Sequence, residues 1–220
     1  MYLIGMATAI FGEVFVRGSL IVSGDATRTA QNIVGSELLY RIGIATDLFT
    51  FTTVVVLTWA LYVLLRPVNK DLVVLAVLFR GAEVATHFVI TLNGLVALRW
   101  LAATDYLAAF ESPQRHTLAR VAMGAQADGV SIGFILLGLG SAVFAYLLLK
   151  SRYVPRALAI WGVFSSLLIA AAVFWDIVFP STADIPRLSS YAAMFIYEIT
   201  LGSWLLLKGA NIRSIPVSAA

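Results

Sequence analysis

Between Leu72 and Trp100 runs an almost unbroken apolar stretch that carries Arg80, Glu83, His87 and Thr91 in its interior. At roughly 29 residues it reaches about 43 Å as a helix, enough to cross a bilayer with some tilt. The four polar residues are spaced three, four and four apart, which puts them along one stripe of that helix. Glu83 then falls near the hydrocarbon midplane. An ionisable group at that depth costs roughly 2.5–3.5 kcal/mol or more unless it faces a partner or water. This stretch therefore fixes the class of the chain and poses its main question, which is what the stripe faces.

Five further apolar runs follow the same logic, and the expected fold is all-α. It is a polytopic membrane protein with six transmembrane helices in one integral domain, 1–220. The expected spans are 1–17, 37–65, 70–101, 113–149, 155–179 and 188–208. Composition agrees: of 220 residues, 60% are hydrophobic and 12% charged, with mean hydropathy +0.92, whereas a soluble domain is about a quarter charged. Ser23-Gly24-Asp25 is turn chemistry ahead of a short helix, and Ser36 can cap the second span, which stops at Arg66-Pro67. Asn69 and Asp71 open the third span, Ser112-Pro113 opens the fourth, and Pro180 ends the fifth. Thr104 or Asp105 would cap a short helix through Glu111. The first span has no basic leader before it, and Glu13 and Arg17 follow it. It reads as a retained helix rather than a cleaved signal peptide, though short, as if the natural N-terminus were longer.

Several chemistries are disfavoured. There is no Cys, hence no disulfide or thiolate ligand. A net charge of +3 with scattered basic residues gives no nucleic-acid footprint. No lysine lies mid-span to carry a Schiff base, no Gly-x-Ser-x-Gly elbow occurs, and no phosphate-binding loop is present. Glu83 and His87 have metal-ligand spacing on a helix, but a structural ion pair with Arg80, or a hydrogen-bonded imidazole, is the better reading. No metal or other cofactor is expected. Gly124, Gly129, Gly133, Gly138 and Gly140 make the fourth span small-faced. That suits close helix packing, including contact with a second copy of the chain. The tryptophans read as interfacial anchors in the lipid bilayer.

Short, densely basic segments around Arg66, Lys70, Arg152 and Lys208 favour a cytoplasmic placement for both termini. Glu13, Glu37, Asp47, His87, Gln126 and Asp128 then lie in the outer or middle parts of their spans, and Glu198 lies near the middle of the sixth. The inner halves, such as Val54–Leu65 and Phe134–Leu149, are almost wholly apolar. The expectation is an outward-facing polar pocket lined by Arg41, Asp47, Arg80, Glu83, His87, Asp128 and Glu198. Its rival is a set of pairwise contacts that hold helices together. Acids outnumber fixed cations at depth, and each excess carboxylate needs a proton, water or a bound cation. The leading function is therefore binding of a small molecule or cation, with transport or sensing as extensions. The alternatives are an intramembrane enzyme acting on a lipid or isoprenoid, with Glu83 or Asp128 as acid–base, and a non-catalytic scaffold. Whether the chain is an enzyme stays open.

Certain motifs carry a resemblance. Phe11-Gly-Glu13-Val-Phe-Val-Arg17-Gly and Ser36-Glu37-Leu-Leu-Tyr-Arg41 with Asp47 begin it. It continues through Arg66-Pro67-Val-Asn69-Lys70, Phe79-Arg80-Gly-Ala-Glu83, Asp105-Tyr-Leu-Ala-Ala-Phe110 and Tyr153-Val-Pro155-Arg156, and reaches Glu198 and Trp204-Leu-Leu-Leu-Lys208-Gly209. Over nearly its whole length the chain resembles a family of bacterial multi-pass membrane proteins known as a domain of unknown function, number four thousand three hundred and eighty-six. The resemblance implies residence in the bacterial inner membrane and about six helices, and supplies no activity or catalytic residue. Relatives often have a histidine ahead of the acidic position in the fourth span. Here Ala122-Met-Gly-Ala-Gln126-Ala-Asp128 stands instead, which puts any shared histidine-dependent metal chemistry in doubt.

Overall fold

The computed structural model describes residues 1–102, 104 and 107–211. Among these there are helices and connecting turns and no strands. Six helices are long and apolar enough to cross a membrane: α1 Tyr2–Leu20, α3 Glu37–Leu65, α4 Lys70–Leu101, α5 Ser112–Ser151, α6 Arg156–Val178 and α7 Asp184–Leu207. The protein is a multi-pass membrane protein. A shorter helix, α2 Ala26–Gly35, lies between the first two spans.

The ends follow local chemistry. The Asp25 side chain accepts the Arg28 N–H at 2.8 Å and caps α2. Asn69 Oδ1 accepts the Leu72 N–H at 2.9 Å at the start of α4. Arg152, with φ 57, turns the chain out of α5, and Gly209, with φ 69, follows the last residues of α7. The α7 helix starts at Asp184, four residues before the expected 188, because a proline in the first turn loses no helical hydrogen bond and Pro186 sits there. The expected Asp105 cap lies outside the described residues.

One local feature has no counterpart in the sequence reading. The α1 helix widens to a π-helix over Phe11–Arg17 before three more α-helical residues. Such widened turns are rare and concentrate at functional sites. This one carries Glu13 and Arg17.

Two compact units divide the chain. The first comprises 1–3, 54–84 and the described part of 132–220; the second comprises 4–53 and 85–131. In the first, Leu65, Val73, Leu147, Leu148, Tyr153 and Leu201 form a buried apolar core. Here α6 and α7 meet at Gly162, whose missing side chain makes room for the Tyr197 ring, and the Trp161 indole N–H donates to the Ala193 carbonyl at 3.2 Å. In the second, the core is Val16, Ile33, Tyr40, Ile44, Ala97 and Met123. There Gly43 admits Val16: an added Cβ would stand 2.8 Å from Val16 Cγ1.

Candidate functional site

In the first unit the polar centre is built on α4. Arg80 and Glu83, three residues apart on one helical face, form an ion pair, Nη1 to Oε2, at 2.9 Å. Both are buried, with 4% and 2% exposure. The Arg80 guanidinium also lies 3.5 Å from the Ser141 hydroxyl of α5. Its aliphatic stem crosses Gly140, where an added Cβ would come within 2.9 Å of Arg80 Cγ. A second carboxylate shares the same cation: Glu198, on α7, interacts electrostatically with Arg80 and with Glu83. The Tyr2 and Tyr197 hydroxyls also interact electrostatically with Glu198. One guanidinium is thus paired with one carboxylate and within electrostatic reach of a second.

In the second unit the polar centre is Arg17. It pairs with Glu13 at 3.0 Å and with Asp47 through both terminal guanidinium nitrogens, a forked geometry suited to a carboxylate. The Gln126 side-chain amide donates to Asp47 Oδ2 at 3.4 Å. Gly12 lies close by, and a Cβ there would stand 3.2 Å from Asp47 Oδ1. Beside Arg17 and Gln126 is a cavity of about 10 Å³, the space of about one water. His87 is buried elsewhere in this unit, its ring stacked on Phe51 at 4.6 Å and its Nε2 3.4 Å from the Val130 carbonyl. The Thr91 hydroxyl donates to the His87 carbonyl at 2.7 Å.

Of the seven residues expected to line a pocket, Arg80, Glu83 and Glu198 come together in the first unit. Asp47 and His87 are buried in the second with the partners just named. Arg41 pairs with Glu37 at 2.7 Å on an exposed helix face, and Asp128 is exposed. Arg17, Gln126, Tyr2 and Tyr197 were not among the expected site residues. For Arg17 a signal existed, since Glu13 four residues earlier stands with it in an otherwise apolar run. For the tyrosines none did, because an amphipathic aromatic is ordinary in a membrane helix. Among the described residues no group of three or more His, Cys, Asp or Glu side chains is placed to hold a metal ion.

Set beside known proteins, the chain matches one family over residues 1–209, and that family is described as a domain of unknown function (DUF4386). Neither the comparison with curated proteins nor that with solved structures finds a match.

Proposed function

The chain belongs to the DUF4386 family, a domain of unknown function, and from that premise we propose that it binds a proton or another small cation within the membrane. What supports this reading is the charge balance around Arg80. One fixed positive charge pairs with Glu83 and acts electrostatically on Glu198 in a setting of apolar helices. A second carboxylate charge so placed is costly unless something neutralises it. A proton needs no cavity, so it suits this close-packed centre. Arg80, Tyr2 and Tyr197 are among the groups that act on the two acids, and of these three Arg80 alone carries a fixed positive charge. Residence in a bacterial inner membrane with both termini cytoplasmic belongs to the same reading, as do transport or sensing built on this binding.

Infrared difference spectroscopy of the purified protein tests it. A protonated carboxyl gives a C=O stretch well separated from that of a carboxylate. The expected result is such a band in the native chain and its loss in Glu198→Gln or Glu83→Gln. Stabilisation by sodium or methylammonium that either substitution removes would assign the same centre to a larger cation. With no band and no cation-dependent stabilisation, the charged centre is helix-holding structure and the scaffold reading takes its place.

A further inference from the structure

A second feature lies in the first unit, well along the chain from Arg80. The tight turn between α5 and α6 and the C-terminal end of α7 border an open surface cavity of about 640 Å³, whose lining includes Arg152, Tyr153, Pro155, Trp204, Lys208 and Asn211. We propose that it receives the phosphate of an anionic lipid headgroup.

Four observations carry this. First, its position is fixed by topology. Successive membrane-crossing helices alternate in direction, so the end of α5, the start of α6 and the end of α7 reach the same membrane surface. The cavity therefore opens at the level where headgroups lie. Second, it presents two cations, Arg152 and Lys208, both exposed, and among the described residues no acidic side chain lines it. Third, α6 begins at this cavity with Pro155 as its N-cap and no side chain capping it. The first-turn N–H groups of a helix carry partial positive charge and suit a phosphate oxygen. Fourth, the walls are amphipathic. Tyr153 is buried at 2% exposure, and Trp204 and Pro155 supply apolar surface, as at an interfacial belt. The Asn211 N–H closes one side by donating to the Tyr153 carbonyl at 3.0 Å. Basic pockets between membrane helices bind anionic headgroups by this chemistry.

The two left-handed residues explain how the cavity is made. Arg152 and Gly209, at φ 57 and φ 69, each turn the chain sharply at a helix end. A glycine at 152 would suit that backbone, so Arg152→Gly removes the guanidinium without strain.

The test is native mass spectrometry of the full chain taken from nanodiscs holding phosphatidylglycerol and phosphatidylcholine in equal parts. The native protein is expected to retain phosphatidylglycerol selectively. The double variant Arg152→Gly/Lys208→Ala should retain it roughly thirty-fold less well, about five-fold for each cation near the surface. Arg28→Ala, which removes an exposed cation of the second unit, should match the native chain. Lys208→Glu, with Arg152 intact, should also lose selectivity and serves if the double variant does not fold. Inorganic phosphate is the second arm. If it raises the unfolding temperature of the native chain but not of Lys208→Glu, while phosphatidylglycerol is not retained, the cavity is a site for a soluble phosphate and the lipid assignment is overturned. Equal retention of phosphatidylglycerol by the native chain and both variants overturns it as well.

Discussion

A buried guanidinium with two carboxylates around it is an unequal partnership, and substitutions should expose the inequality. Removing Arg80 leaves Glu83 and Glu198 without their cation. Arg80→Met should therefore cost about 3–5 kcal/mol, the usual effect of breaking a buried pair, measured by equilibrium unfolding in mixed detergent. Arg80→Met combined with Glu83→Gln should cost less than Arg80→Met alone, because the second change discharges one of the stranded groups. If the double variant is the less stable of the two, the carboxylates are not facing Arg80. A similar contrast separates the acids of the second unit. Asp47 is buried and holds Arg17 by a forked contact and Gln126 by a hydrogen bond, so Asp47→Ala should cost about 1–3 kcal/mol. Glu37 pairs with Arg41 where both side chains are more than half exposed. Glu37→Ala should stay within about 1 kcal/mol of the native chain. Comparable losses for the two would mean that exposure does not rank these pairs.

At the scale of single elements, α5 shows what its glycines are for. A Cβ at Gly140 would press on the Arg80 stem at 2.9 Å and on the Ala76 carbonyl at 3.2 Å, whereas nothing lies within 4 Å of one at Gly124. Gly140→Ala should destabilise by about 1–3 kcal/mol through overpacking. Gly124→Ala should be neutral or stabilise by up to about 1 kcal/mol through helix propensity. Thermal unfolding of both in one detergent reads the difference, and equal effects would remove the packing argument. The helices themselves were easy to read, since length and hydropathy leave little choice for a run such as Val54–Leu65. Caps such as Asn69 were legible because a short polar side chain at a helix start has one obvious use. The π-helical turn at Phe11–Arg17 was not legible. Nothing in the residues distinguishes an i→i+5 turn from an i→i+4 turn, and the choice follows what the helix packs against. The same limit applied to the site. Periodicity placed Arg80 and Glu83 on one face, but it carries no information about which residue of another helix lies opposite. Glu198, Tyr2 and Gln126 therefore found their partners only in three dimensions.

For the molecule as a whole, alternation of six membrane-crossing helices makes sidedness a single binary choice. The chain contains no cysteine, so one introduced thiol reports on one position without background. A membrane-impermeant maleimide applied to intact cells should label Gln114→Cys and Ser181→Cys and spare Arg66→Cys and Arg156→Cys. The reverse pattern would place both termini outside. The two compact units also interleave along the chain, because α3, α4 and α5 each contribute residues to both. Neither can be excised as a fragment. They also differ in when a ribosome can finish them. Every residue of 4–53 and 85–131 is synthesised before position 132, while the other unit must wait for its last two helices. During translation Arg80 and Glu83 enter the bilayer long before Glu198 is made, so the most expensive charges in the protein pass their first moments there without the partner that completes the set.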